Sequence, residues 1–322
     1  MNKPSVPISI IIVSWNTKKL VSECLNSLEP AAKNCSLEII LVDNASADGT
    51  VEMVRRDFPH VICVQNSANL GFAKANNIGM KMATGQYVCL INSDVTVPEG
   101  CLETMLEFME QHRDIGMLGP KMRLPDGSVG QSCMRFPSPW NWFCNAIGLS
   151  SLFKGDAGAL IGDFMMSDFH YDRTTDVNIL TGWFWMVRRQ ALDQVGVLDD
   201  RFFMYGEDLD WPKRFNKAGW RVVFFNEVEA VHHCGASSSK APVRFYIEMY
   251  RANLQYFRKH HSLPAVVCFW LTMWLHQVLR VLGYGLVYLF KSSNRDETQH
   301  KIKRSVVCLA WLMNRKPAGE SL

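Results

Sequence analysis

Glu207, Asp208 and Asp210 set three carboxylates within four positions, between the bulky apolar run Phe202-Phe203-Met204-Tyr205 and Trp211. Like charges that close repel, and apolar surroundings raise their proton affinity. The crowding therefore needs an offset: a cation, a set of hydrogen-bond donors, or proton chemistry itself. If a helix starts near Gly206, Glu207 and Asp210 lie three apart on one face, and Asp208 points elsewhere, free to act as a base. Acids in a first helical turn also complement the positive end of the helix dipole with no chemistry at all. Within the segment itself the two readings stand level.

Other clusters share this double character. Leu90-Ile91-Asn92-Ser93-Asp94 places a lone carboxylate just past a hydrophobic run, where it can reach a divalent ion that bridges phosphate oxygens. His232, at the end of Glu229-Ala230-Val231-His232-His233, is the candidate second ligand. A neutral imidazole suits manganese better than magnesium, although a histidine at a strand end is also often just hydrogen-bonded. His233 points to the opposite face. Asp43-Asn44-Ala45-Ser46 follows a β-branched run and could accept from the amide or hydroxyl groups of a nucleoside, or simply cap the next helix. Asn69-Leu70-Gly71-Phe72-Ala73-Lys74-Ala75-Asn76-Asn77 joins a glycine, a helix start and a cation, a combination suited to a diphosphate. Trp183-Phe184-Trp185 follows Thr181-Gly182; strand alternation would send Trp183 and Trp185 to one side, as a sugar-stacking wall or as core.

The elements that must position these groups are legible from periodicity. Ile8 to Ser14, Leu37 to Val42 and Tyr87 to Ile91 are continuous apolar runs of the kind buried on both faces of a parallel sheet. Thr17 to Leu28, Gly49 to Phe58, Gly71 to Ala83 and Pro98 to His112 carry apolar residues three and four apart, so strands and helices alternate. Ligands of such sheets sit beyond the carboxyl ends of the strands. Those ends are Ser14-Trp15-Asn16, Asp43-Asn44-Ala45-Ser46 and Asn92-Ser93-Asp94, all polar. Residues 124–177 lose periodicity and read as long loops over a site. A strand over Ile179 to Val187, a helix ending at Ala218, and strands Arg221 to Phe225 and Val228 to His232 follow.

At 322 residues and 48% hydrophobic content the chain can bury a large core. Its net charge of +3 conceals a split: residues 1–257 carry 24 Lys/Arg against 28 Asp/Glu, and residues 258–322 carry 10 against 3. The tail is also rich in Leu, Val, Trp and Phe, so its basic balance suits a membrane surface and not nucleic acid. Within Ala265 to Phe290, Arg280 is the only Lys, Arg, Asp or Glu. Thr272, His276, Arg280 and Tyr284, with Gln277, form one polar stripe, which predicts an interfacial helix more than a crossing one; a helix packed on the catalytic domain is the alternative. Ten cysteines without CxxC pairs, and no secretory signal, point to a reducing cytosol. The lack of GxGxxG and GxxxxGK(S/T) argues against dinucleotide oxidoreductases and P-loop phosphotransferases.

Taken in order, IIVSWN, VDNASADGT, NLGFAKANNIG, LINSD, GWFWMVRR, FFMYGEDLDW and VHH resemble the inverting family-2 glycosyltransferases, nearest to their bacterial rhamnosyltransferase-like branch. The resemblance covers about residues 7–261 and implies a GT-A fold, Rossmann-like with a mostly parallel central sheet flanked by helices. Residues 1–242 would form the catalytic domain, with a donor half to about 120 and an acceptor half from about 121, and 243–322 a helical membrane-associating region. It further implies a nucleotide-diphosphate sugar donor, a divalent metal (Mg or Mn), and a glycan or lipid-linked acceptor at the cytoplasmic face of the inner membrane. Carried over by position, Asp208 is the base with Glu207 in support, and Asp94 and His232 hold the metal. Ser14, Asn16, Asp43, Asn69, Gly71, Asn76, Asn92 and Ser93 line the donor side, and Trp183, Trp185 and Asp210 the acceptor side. Departures occur at Trp183 and Phe184, where the family usually has small residues, and at Trp211-Pro212-Lys213. L-Rhamnose from dTDP-rhamnose is the donor the resemblance suggests. A sugar nucleotidyltransferase and a catalytically inactive nucleotide-sugar-binding protein are the alternatives.

Overall fold

The computed structural model describes residues 7–32, 35–149, 163–167, 169–234, 242–290 and 295–314. These divide into two compact units: residues 1–136 with 169–240, and residues 137–168 with 241–322.

The first unit is built on β1 (Ile8–Ser14), whose Ile8, Ile10, Ile11 and Ile12 are all fully buried. Burial of an isoleucine on this scale is worth about 1.5–3 kcal/mol, so β1 anchors both faces of the sheet. β2 (Leu37–Asp43) pairs with it in parallel, Ile8 opposite Leu37 through Ser14 opposite Asp43. β4 (Tyr87–Asn92) pairs on its other side, ending with Val13 opposite Asn92. β3 (Ile62–Gln65) extends the parallel block beyond β2. In β2, Ile39 and Leu41 enter the main core, while Ile40 and Val42 pack with Ala75 on the opposite face, as a period of two requires.

Helices cover both faces: α1 (Lys18–Ala31), α2 (Thr50–Asp57), α3 (Phe72–Met82) and α4 (Cys101–Gln111). Gly79 of α3 lies so close to Ile11 that a Cβ there would stand 2.5 Å from Ile11 Cγ2, which brings the helix backbone down onto the strand. Beyond β4 the sheet continues through β10 (Phe184–Arg188), antiparallel to β4, then β6 (Ile115–Arg123), β11 (Arg221–His232) and β5 (Val95–Thr96). β11 runs parallel to β6 and antiparallel to β5, so that His232 faces Val95. β8 (Thr175–Asp176) adds to β11. Between β10 and β11 lie α6 (Arg189–Val195) and α7 (Glu207–Lys217), the latter holding the acids in its first turn.

Three expectations are corrected. The single strand over Ile179 to Val187 is two: β9 (Ile179–Leu180) pairs with β7 (Cys133–Met134) in a separate ribbon, and only β10 joins the main sheet. The break is a tight turn in which the Trp183 N–H donates to the Thr181 carbonyl at 2.9 Å. The two strands expected over Arg221 to His232 are one, with a register shift between Phe225 and Glu229 that re-aims the strand end. The expected long loop over 124–177 contains α5 (Pro139–Ala146), opened by a reciprocal capping box between Ser138 and Asn141 with Pro139 in the first turn.

The second unit groups α5 with α8 (Pro242–His260), α9 (Leu263–Phe290) and α10 (Arg295–Asn314). Here the polar stripe of α9 turns inward at Thr272 and Gln277, beside the buried Phe269 and Met273. Gln277 is fully buried and donates to the hydroxyls of Tyr246 at 2.9 Å and Tyr250 at 2.7 Å, and Thr272 is buried beside it. His276 meets the carbonyl of Ala146 at 3.4 Å. Leu271, Trp274, Leu282, Leu286, Leu289 and Phe290 are exposed instead. The outward face of the helix is thus apolar, where a water-facing amphipathic helix has its polar face.

Gly71, just before α3, has φ +83°, and a side chain there would strike the carbonyl oxygen and ring of Phe203. Gly71→Ala should lower the stability of the chain by about 2–3 kcal/mol, read as a lower urea midpoint at unchanged slope.

Candidate functional site

The parallel register around β1 brings the polar strand ends level. Ser14 Oγ donates to Asp43 Oδ1 at 2.8 Å, and the backbone N–H and hydroxyl of Ser46 donate to the same carboxylate at 2.8 and 2.5 Å. The Asn16 N–H donates to Ser46 Oγ at 2.8 Å, and Asn16 Oδ1 accepts from Ala47 at 2.7 Å. Asn16 and Ala45 both adopt positive φ, 54° and 59°, held by these bonds. Asp43 is 0% exposed. Its carboxylate therefore shapes the loop at the ends of β1 and β2, the edge of the sheet at which a nucleoside contact is expected of it. Asn69 Oδ1 accepts the Gly71 N–H at 3.0 Å and sets the turn into α3. Asn76 is buried and donates to the Phe72 carbonyl of its own helix at 3.0 Å, so its amide group braces α3 from inside.

At the end of β4, Ser93 Oγ meets Thr17 Oγ1 at 3.1 Å. Asp94 Oδ1 lies 3.1 Å from His232 Nε2, and Asn92 Nδ2 lies 3.4 Å from the same nitrogen. Asp94 and His232 fit a divalent ion. Two neighbouring ligands of an octahedral ion, each at about 2.1 Å, stand about 3 Å apart, close to the spacing found. His232 Nδ1 meets Cys234 Sγ at 3.3 Å, a partner that can take the other ring proton and leave Nε2 free to ligate. Among the described residues no third His, Cys, Asp or Glu joins them, so the rest of the shell would fall to waters and substrate phosphates.

The acids begin α7. Glu207 is 4% exposed and accepts the Gly206 N–H at 3.1 Å. Burial pushes its carboxyl up to about 7; the backbone amides of Glu207, Tyr205 and Gly206 pull the other way, and the Asp210 charge adds to the rise. Asp208 is partly exposed, and its Oδ1 is a buried oxygen with no hydrogen-bond partner. Burial first, then the Glu207 charge, raise its carboxyl well above the usual range, against the amides of Asp208, Gly182 and Leu209. A carboxylate with an unused oxygen and raised proton affinity is equipped to take a proton.

Asp210 belongs elsewhere. It is 0% exposed and its Oδ2 accepts from Arg214 Nε at 2.8 Å; Arg214 also bonds the carbonyls of Val195 at 2.9 Å and Val197 at 2.7 Å. That pair braces α7 against the end of α6. Both residues of the Trp pair pack on neighbouring rings. Trp185 is 0% exposed, packs 5.4 Å from Trp211 and donates Nε1 to the Leu180 carbonyl at 3.1 Å. Trp183 lies before β10, in the tight turn, and stacks on the His232 ring at 5.5 Å and 17°.

Trp183 is a tie that spacing alone did not show. Its carbonyl accepts the Asn92 N–H at 2.9 Å, while the preceding Gly182 leaves room for Trp185 and Asp208. A second tie is the Phe72 N–H donated to the Phe203 carbonyl at 2.7 Å, which fixes the start of α3 to the segment before the acids. Thr17 and Cys234 are further partners that the motifs did not mark: Thr17 reaches Ser93 from far along the chain, and Cys234 reaches His232 from two positions away.

A model of glycosyl transferase family 2 matches residues 9–196. An N-acetylglucosaminyl-diphospho-decaprenol L-rhamnosyltransferase of Mycobacterium tuberculosis is 28% identical over 275 residues, spanning 79% of this chain and 85% of that protein. A UDP-Glc:α-D-GlcNAc-diphosphoundecaprenol β-1,3-glucosyltransferase of Escherichia coli is 31% identical over 108 residues, 33% of this chain and 42% of its own. Among solved structures, a mannosyltransferase of Pyrobaculum calidifontis in complex with GDP-Man and Mn2+ superposes with a TM-score of 0.52 at 18% identity, covering 98% of this chain and 92% of that one. The fold is therefore the GT-A fold.

Because the Glu207 charge helps to raise the Asp208 carboxyl, Glu207→Gln should lower the Asp208 pKa toward the ordinary carboxylate range. A carbon-13 NMR titration of the Asp208 carboxyl in both proteins checks this, and an unchanged midpoint would refute the coupling.

Proposed function

Because the chain belongs to glycosyl transferase family 2, we propose that it is an inverting rhamnosyltransferase. In this reading it moves L-rhamnose from dTDP-rhamnose to a lipid-linked glycan acceptor in bacterial surface polysaccharide synthesis, at the cytoplasmic face of the inner membrane. That it is a glycosyltransferase follows from the family. The sugar and the acceptor are supported by the mycobacterial relative, whose own name carries both. Membrane attachment is supported by α9, a 28-residue helix long and apolar enough to cross a bilayer, and by its exposed apolar face.

The observation that carries the mechanism is the partnerless Oδ1 of Asp208. Asp208 takes the proton of an acceptor hydroxyl as that oxygen bonds to C1 of the sugar. The bond from C1 to the diphosphate oxygen breaks, the nucleoside diphosphate leaves, and the anomeric centre inverts. Burial raises the Glu207 carboxyl, and a charge on Glu207 in turn raises the proton affinity of Asp208 beside it. Asp94 and His232 would hold a divalent ion, which neutralises charge on the departing diphosphate when bound. Ser14, Asn16 and Asp43 act on the donor as one hydrogen-bonded loop, with Asn69 and Gly71 shaping the turn beside it and Ser93 fixed by Thr17.

Asp208→Asn should reduce transfer by ~10²–10⁴ while donor binding stays nearly intact. Release of nucleoside diphosphate from dTDP-rhamnose with extracted lipid acceptors measures the first, and calorimetric titration of the donor the second. Wild-type turnover in the variant rejects the base assignment. Release only from other donors in the same screen rejects rhamnose, and formation of pyrophosphate from a nucleoside triphosphate rejects transfer in favour of nucleotidyl chemistry.

A further inference from the structure

Arg280 is the one charged residue of α9, and it lies on the helix's inward stripe, not on its exposed face. Its Nε is buried without a hydrogen-bond partner, and among the described residues no carboxylate pairs with it. Arg304 of α10 is in the same condition, its guanidinium 4.2 Å above the Tyr246 ring. A guanidinium nitrogen buried without a partner is costly unless an acceptor or an anion reaches it. The guanidinium of Arg280 sits 5.0 Å from the Tyr284 ring, and Lys301 Nζ of α10 lies 5.5 Å from the same ring. Lys301 has a carboxylate of its own, Glu297 at 2.5 Å, so the uncompensated charge is that of the two arginines.

Arg280 also lines a pocket of about 330 Å³ at the end of α5. Four-residue spacing on α9 sets the polar lining residues His276, Arg280 and Tyr284 in one row and the lining residues Leu279, Gly283 and Val287 in the next, an apolar side. The apolar side runs out onto the exposed face of α9, where Leu282 and Leu286 are 60% and 58% exposed. On α5, Trp140 and Phe143 stack on each other and are also exposed. An amphiphile with an anionic head and a long apolar chain complements both halves: the head meets the arginine, and the chain follows the helix. A small free anion would leave the apolar half unused.

We propose that this pocket binds the phosphate headgroup of an anionic membrane phospholipid, with Arg280 as the donor and Arg304 as the second positive charge behind it. The inference rests on membrane attachment as read above, and the test separates the two. The full chain is floated with vesicles of phosphatidylcholine alone and of equal parts phosphatidylcholine and phosphatidylglycerol, at low salt and at about 0.5 M salt, where exposed charges are screened. The wild type should bind both and prefer the second at either salt. Arg280→Gln should lose about ten-fold or more of its partition onto the phosphatidylglycerol vesicles, as expected for a lost charge-assisted hydrogen bond, and keep its partition onto phosphatidylcholine.

Gly283→Leu is the second variant. A Cβ at Gly283 meets nothing within 4 Å, so the substitution fills the pocket without a clash and without a change of charge. It should lose the same preference. Lys303→Gln removes an exposed charge from α10 and should weaken binding at low salt only. Failure of the wild type to bind phosphatidylcholine vesicles would overturn attachment itself. Binding with the preference retained in Gly283→Leu, or lost equally in Lys303→Gln at high salt, would overturn the site alone.

Discussion

The register of β1 against its two parallel neighbours is the constraint on which the rest depends. Because a one-residue slip would send every side chain to the other face, the fully buried isoleucines of β1 lock the alignment. The alignment in turn delivers Ser14 to Asp43, and Val13 to Asn92, at one end of the sheet. Apolar burial in the middle of the strand thus sets the position of polar groups at its tip. The loop that follows can afford strained backbone at Asn16 and Ala45 because Asp43, closed off from water, collects three hydrogen bonds there.

The second half of the unit reaches that strand end by short cross-links. β11 arrives from far along the chain, and its bulge and its pairing with β5 bring His232 beside Asp94. Trp183 holds the same histidine by its ring and Asn92 by its carbonyl. Such a buried stack restrains the imidazole plane, and a ligand whose plane is fixed needs less ordering when an ion binds. The bulky residue at a place where the family commonly has a small one is therefore compatible with the site, since it fills space against the histidine.

Much of the fold was legible in the sequence because its signals are local. The continuous apolar runs of β1, β2 and β4, and the amphipathic spacing of α1 to α4, each follow from burial along a single element. The acids at the start of α7 and the polar strand ends were equally visible. What spacing could not show is which groups close on each other. Spacing does not reveal that Arg214, one turn on, binds Asp210, and it leaves Trp185 as a wall or as core, whereas in the fold Trp185 packs on Trp211. The break between β9 and β10 was hidden by an unbroken aromatic run whose tight turn depends on one backbone hydrogen bond at Trp183.

The inward stripe of α9 shows the same limit from another side. A periodic polar stripe fixes that a helix has two faces, and it does not say which medium each face meets. In water the apolar face turns inward and the polar one out; here the outward face is apolar, and Gln277 is sealed under two tyrosine hydroxyls near Phe269 and Met273. Inversion of that kind stabilises a helix only where its apolar face meets something other than water, since leaving Leu271, Leu282, Leu286 and Leu289 exposed would forfeit the burial that holds soluble helices in place. The same inversion requires that every inward polar group find a partner. Gln277 and His276 have theirs, whereas Arg280 Nε has no hydrogen-bond partner and the guanidinium rests by the Tyr284 ring, and this difference between neighbours on one stripe makes the arginine the residue to explain.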